Sequence, residues 1–180
     1  MILYATPYSE NKKLLESYND IWSRVGDDDY AVALDGDAMF TTRTFGHQIA
    51  ETMRANEQFD VFTCMTNRVA NSSQVVQGAW NSNDMHYHRE LGDKRWDDWH
   101  THVEDITTHS PLSGVLIAMK GRTWRELYKK LEHTQWLMLG LDNDIHIQAR
   151  DAGMKVGLMK GIYVMHYYRN GNKLDKAHLV

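Results

Sequence analysis

The stretch Tyr30-Ala-Val-Ala-Leu-Asp35-Gly-Asp37-Ala-Met-Phe40 runs from apolar residues straight into two aspartates one residue apart. Its first half has the composition of a buried strand. Side chains alternate along a strand, so positions two apart point the same way. Asp35 and Asp37 are therefore expected to project together from a strand end, where an open α/β sheet keeps its ligand crevice. Two carboxylates held that close repel each other unless a cation or a proton sits between them. Hard oxygen ligands of this kind suit magnesium or manganese bridging to a substrate phosphate.

Outward from this stretch, strands alternate with helices. Residues 2–6 form a short strand ended by Pro7, and a helix over about 10–25 follows, with Ser9 as its N-cap. After the second strand, a helix over about 43–57 is capped by Thr41 or Thr42, and Phe59 to Met65 make a third strand. Leu112 to Met119 make a fourth strand, with a helix near 122–132 and another over 142–152 ending at Gly153. Lys155–Leu158 and Ile162–Met165 are two last short strands. The alternation predicts an α/β fold: a compact, Rossmann-like, mostly parallel sheet covered by helices. Residues 1–180 make one domain, with about 71–110 as a polar, aromatic insertion or lid.

Composition narrows the function. A net charge of −4 excludes a global field that recruits nucleic acid or anionic membrane. The single Cys64 excludes an intramolecular disulfide and a cysteine zinc site. No stretch approaches the ~20 apolar residues of a membrane span, and the first residues lack the shape of a signal peptide. A cytoplasmic protein is expected. The histidines His86, His88, His100, His102 and His109 are too loosely spaced for a clear metal site. Trp80, Tyr87, Trp96 and Trp99 in the same region have the flat faces needed to stack on a sugar or a base of an acceptor.

Four further places carry chemistry: Thr6-Pro7-Tyr8 after the first strand, Ser113-Gly114 at the fourth, Gly140-Leu-Asp142-Asn-Asp144-Ile through Ala152-Gly153, and His166 with Arg169. With Asp35-Gly36-Asp37 they make the chain resemble the GT-A-type nucleotide-sugar glycosyltransferases, particularly the family 2 pattern and small phage-type relatives. Those open on a strand ending in T-P-Y, carry a D-x-D at a later strand end, and follow it with E-D-x-D-L-x-x-R-x-x-x-A-G and a histidine. Here Asp142, Asn143, Asp144 and Ile145 match D-x-D-L and Ala152-Gly153 match the ending, while Leu141 replaces the Glu and Gln148 the Arg.

The resemblance implies a GT-A-type fold and transfer of a sugar from a nucleotide-diphosphate sugar to an acceptor hydroxyl. It implies that Asp35, Asp37 and His166 hold Mn²⁺ or Mg²⁺, with Asp142 or Asp144 as catalytic base. Thr6, Pro7, Tyr8, Asp35, Gly36 and Arg169 would face the donor. Ser113, Gly114 and Trp99 would lie on the acceptor side. The acceptor itself (a glycan, a small molecule or a modified nucleic-acid base) is not specified. Only about 28 residues separate Tyr8 from Asp37, so a strand–helix unit that such enzymes place there is missing. Two other readings follow. A nucleotide-sugar-binding domain without turnover is one. A haloacid-dehalogenase-like phosphatase is the other, with Asp35 as nucleophile, Asp37 as acid/base, Thr63 and Lys120 in support, and magnesium on Asp142 and Asp144.

Overall fold

The computed structural model describes residues 1–8, 10, 13–131 and 140–167. In chain order these form β1 (Ile2–Ala5), α1 (Leu14–Ser23), β2 (Tyr30–Leu34), β3 (Ala38–Phe40), α2 (Phe45–Ala55) and β4 (Val61–Thr66), then a 3₁₀ turn at Ser72–Gln74. They continue with α3 (Met85–Trp99), β5 (Val103–Asp105), β6 (Leu116–Lys120), α4 (Gly121–Leu131), α5 (Leu141–Asp151) and β7 (Val156–His166). The strands make one open mixed sheet in the order β1-β2-β6-β4-β7-β3, with β5 also paired to β7. No described helix is long and apolar enough to cross a membrane.

The alternation of strand side chains builds two cores. Ala31, Ala33, Ile117 and Met119 face α1, α4 and α5, while Val32, Phe62, Cys64 and Ala118 face α2. On the first side Trp22 stacks on Tyr18 at 5.5 Å and on Trp124 at 5.0 Å, which locks α1 against α4. The two indole N–H groups donate to the Met119 carbonyl and to Asn19 Oδ1, so neither buried donor is left unmatched.

The sheet is less parallel than the pattern of elements predicts. Only β1–β2 and β4–β7 are parallel pairs; the other four pairings are antiparallel. The cause is β6, which runs between β2 and β4 in the opposite sense. Leu116 to Met119 are buried on both faces. Such a strand is apolar throughout whichever way it runs, so its direction is invisible in its composition. The strands β1, β2, β4 and β7 still share one direction. Their carboxyl ends therefore lie along one edge, joined there by the start of β6.

Residues 71–110, expected as an insertion or lid, form regular elements that pack on the sheet. They hold the 3₁₀ turn, α3 packed on β7, and β5 hydrogen-bonded to β7 as a further strand. The periodicity of α3 is weak because its inner face is not an apolar stripe: the buried residues are His88 and Gly92. His88 Nδ1 lies 2.7 Å from the Tyr163 hydroxyl, and its Nε2 donates to the Ser82 carbonyl. Arg95 donates through Nε and Nη2 to the Lys160 carbonyl at 3.0 and 2.6 Å. A Cβ on Gly92 would fall 2.3 Å from Thr41 Oγ1. Cap positions differ from expectation too: Thr44 precedes α2 without a side-chain cap, and Thr41 instead donates to the Tyr163 carbonyl. The expected cap Ser9 lies outside the described residues.

The two short strands expected near the end are one strand, β7, with an irregularity between them. Cys64 pairs with Met159 but Met65 pairs with Tyr163, so residues 160–162 are extra on the β7 side. Gly161 sits in this offset. A Cβ there would lie 2.0 Å from the His100 carbonyl oxygen, a contact with backbone that has no room to yield. Gly161→Ala is therefore expected to cost at least about 1–3 kcal/mol, read as a lower urea midpoint at unchanged slope.

Candidate functional site

The candidate site stands on the carboxyl ends of β1, β2, β4 and β7. Asp35 follows directly on β2, and its N–H donates to the Val115 carbonyl at 3.1 Å. The Ala38 N–H then donates back to the Asp35 carbonyl at 3.1 Å, closing a turn into β3. The two aspartates are thus brought together by a tight turn, not by strand alternation. β3 pairs Ala38 with His166, the last residue of β7, which carries the imidazole to the carboxylates.

His166 is held from behind. Its backbone N–H donates to Asn67 Oδ1 at 2.7 Å, and its Nδ1 meets the Arg68 carbonyl at 2.6 Å. A carbonyl only accepts, so Nδ1 carries a proton and Nε2 is the atom that points forward. Nε2 lies 2.9 Å from Asp37 Oδ1 and 3.9 Å from Asp35 Oδ2. The imidazole is 6% exposed, while the side chains of Asp35 and Asp37 are 39% and 44% exposed. The cluster therefore has a buried nitrogen at the back and partly exposed carboxylates in front. One atom from each of the three residues lies within 4.8 Å of the others. Two hard oxygens with one imidazole nitrogen, oriented by a backbone carbonyl behind it, fit manganese or magnesium.

The three groups shift one another's protonation. Burial pushes the Asp35 carboxyl up to about 7, reinforced by the charges of Asp37 and Asp142 and opposed by His166. Burial alone would lower His166, but the Asp37 carboxylate and the Arg68 carbonyl more than offset it and hold the imidazole above its ordinary value.

Asp142, in the first turn of α5, stands near the same strand ends: the Gly114 N–H donates to it, and the carbonyl of the next residue, Val115, accepts from the Asp35 N–H. The Gly114 N–H donates to its Oδ2 at 2.8 Å and the Asn143 N–H to its Oδ1 at 2.9 Å. Burial raises its carboxyl against the lowering effect of those two bonds. The loop that presents Gly114 is fixed by groups with no obvious signature in the sequence. Gln74, fully buried, donates to Thr63 Oγ1 and to the Ser113 carbonyl, and accepts from the Ser113 N–H. Asn71 donates to the carbonyls of Ser110 and Pro111. His146 Nδ1 accepts from the Leu112 N–H and Nε2 donates to the Thr107 carbonyl; burial keeps this histidine below its ordinary value. Asp144 has one carboxylate oxygen buried without a partner.

The remaining expected residues divide. Thr6 is beside the turn, since a Cβ on Gly36 would lie 3.6 Å from its methyl. Tyr8 exchanges backbone hydrogen bonds with Ser17 Oγ, and the residue is 77% exposed, next to half-buried Pro7. Ser113 is scaffold for the loop, with its Oγ accepting from the Asn71 N–H. Trp99 is elsewhere: it ends α3, beneath the cations of Arg95 and Lys160 at 5.1 and 5.6 Å. Arg169 lies outside the described residues. Among the described residues the metal-competent group is Asp35, Asp37 and His166, and none of the other histidines joins it.

Three neighbours escaped the sequence. Arg68 is fully buried, donates to the carbonyls of Trp80 and Ser82, and leaves its Nη1 without a partner. Asn67 beside it also has an unpartnered Nδ2. Their position just after a wholly buried strand was the available signal. Tyr18 fits an apolar helix position, yet its buried phenol is raised well above its ordinary value by burial and by the charges of Asp35 and Asp142.

A phosphatase built on Asp35 would need Lys120 close by. Lys120 pairs with Tyr30 at the far end of β2, roughly 16 Å from Asp35 at about 3.3 Å per residue. Thr63 is buried within β4 and bonded to Gln74. No protein-family model matches the chain, and no curated protein matches it significantly.

Two predictions follow from this geometry. A Cβ on Gly114 would lie 2.9 Å from the Asp142 Cβ. Gly114→Ala should displace Asp142 while sparing the metal cluster, so Mn²⁺ affinity by calorimetry stays within about twofold and the protein remains folded by circular dichroism. The second concerns pH. A carboxyl whose folded value is raised favours the folded state only while protonated, so the parent loses this contribution as pH rises from about 4 through about 7. Metal-free Asp35→Asn should therefore gain in melting temperature on the parent across that interval. Mn²⁺ binding to the parent should tighten over the same range and release protons.

Proposed function

We propose that this chain is a metal-dependent glycosyltransferase that moves a sugar from a nucleotide-diphosphate sugar to an acceptor hydroxyl. The observation that carries the proposal is the convergence of Asp35, Asp37 and His166 at the carboxyl ends of the strands, with Asp142 anchored on Gly114, the neighbour of Asp35's backbone partner Val115. Asp37, with Asp35 and His166, would hold manganese or magnesium, which when bound neutralises charge gathering on the departing diphosphate. Thr6 and the Asp35–Ala38 turn would position the donor next to it.

Asp142 is the base. Its carboxylate accepts the proton of the acceptor hydroxyl; that oxygen bonds to the anomeric carbon as the bond from this carbon to the diphosphate oxygen breaks. The nucleoside diphosphate leaves with the electron pair. Burial raises the basicity of Asp142, and the N–H groups of Gly114 and Asn143 fix its direction. Direct displacement inverts the anomeric centre.

The test uses a panel of nucleotide sugars with Mn²⁺, followed by melting temperature and by release of the nucleoside diphosphate. At least one donor should stabilise the protein only when Mn²⁺ is present. Asp37→Ala should abolish that shift and lower turnover by more than the about 10–100-fold typical of a residue behind a metal ligand. Anomeric configuration is read by NMR, and a retained centre would remove Asp142 as a displacement base. Cleavage of a generic phosphomonoester, indifferent to nucleotide sugars, would refute the transferase; donor binding without turnover in the presence of every acceptor class would leave a binding domain.

A further inference from the structure

The edge opposite the metal cluster carries a second concentration of polar groups. β2 begins there with Tyr30 and β6 ends there with Lys120, its cross-strand partner. Arg54 in the last turn of α2 and Arg122 in the first turn of α4 reach the same place, and together these residues line a cavity of about 490 Å³ with Asp28 and Glu57. That volume falls within the about 300–1,000 Å³ of small-molecule sites.

Two features of this cavity are unbalanced. Arg122 is paired with Asp28 at 2.7 Å, but among the described residues Arg54 and Lys120 form no ion pair. Lys120 Nζ instead lies 5.3 Å over the Tyr30 ring. Tyr30 is 8% exposed, and its hydroxyl is buried without a hydrogen-bond partner. A buried polar group left unmatched typically costs about 1–3 kcal/mol, and such a group calls for an ion or a ligand. In a chain of net charge −4, a guanidinium, an ammonium and a hydroxyl donor left over in one cavity is a pattern for a multivalent oxyanion.

We propose that this cavity is a second ligand site that takes a phosphate group, with Arg54 and Lys120 supplying charge and the Tyr30 hydroxyl a directed hydrogen bond. It is separate from the proposed transferase centre, which lies at the other end of β2. A phosphate brings more oxygens and up to twice the negative charge of a monocarboxylate to two cations and a hydroxyl donor. Glu57 also lines the cavity and opposes anions there, so the two cations must outweigh it.

The experiment titrates inorganic phosphate into the intact chain with EDTA present, so that no cation at the aspartates can recruit it. Melting temperature and ³¹P line width are the readouts, with acetate as the control anion. Phosphate should bind saturably in the parent and equally in Asp37→Ala, whereas acetate should not. Lys120→Met, which keeps the apolar stem over Tyr30, should weaken binding at least about tenfold, and Arg54→Gln should weaken it comparably. Tyr30→Phe separates this site from general attraction of anions. It should raise the melting temperature of the ligand-free protein, because an unmatched buried hydroxyl is removed, and yet weaken phosphate binding several-fold. Absence of saturable binding, or binding untouched by all three substitutions, would mean an adventitious ion only and would overturn the site. Loss of binding in Asp37→Ala would also overturn it, by placing the phosphate at the carboxylates.

Discussion

The parallel pairing of β4 with β7 is the constraint on which the rest of the molecule depends. It is a ladder between two buried strands distant in sequence, and β3, β5 and α3 are all attached to its outer side. The ladder ends where Asn67 and Arg68 take the backbone N–H and the ring of His166. Side-chain orientation at the site is therefore a property of the sheet: Nδ1 is committed to a main-chain carbonyl, and Nε2 faces Asp37 Oδ1 and Asp35 Oδ2. A histidine fixed through backbone has little rotamer freedom to lose when a cation arrives.

The second half of the site hangs on a different support. Asp142 is placed by α5 and by the loop before β6, and that loop is stitched by Gln74, Asn71 and His146. These are neutral groups whose hydrogen-bonding capacity is spent on backbone. They hold Gly114 close enough to Asp142 that no side chain fits between. The Asp35–Asp37–His166 group and Asp142 thus sit on different elements, linked where the Asp35 N–H meets the Val115 carbonyl next to Gly114. Tyr18, whose buried phenol feels both Asp35 and Asp142, marks where the two meet.

Much of this was legible in the sequence, for identifiable reasons. β2, β4 and β6 are apolar runs of strand length, and α5 ends on Gly153, whose φ of 76° is one that glycine accepts freely. Asp35, Asp37 and His166 were expected together, and they are, although a turn and not strand alternation joins the aspartates. What escaped was nonlocal or short. β3 and β5 have three residues each, too few for a period to register. The sense of β6 depends on its neighbours. Arg68 looks like an ordinary surface charge until the strand before it is known to be buried on both faces. Trp99 was expected on the acceptor side as a flat ring for stacking; it ends α3 beneath the cations of Arg95 and Lys160.

The way α3 is attached has a thermodynamic consequence. Its inner face offers a glycine and hydrogen-bonded polar groups where most helices offer an apolar stripe. Beside them Leu91 and Trp96 pack against the two cores. Separation of α3 from β7 would therefore break directional hydrogen bonds as well as expose apolar surface. The aromatic stack between α1 and α4 rests more on burial, and such a contribution fades on cooling.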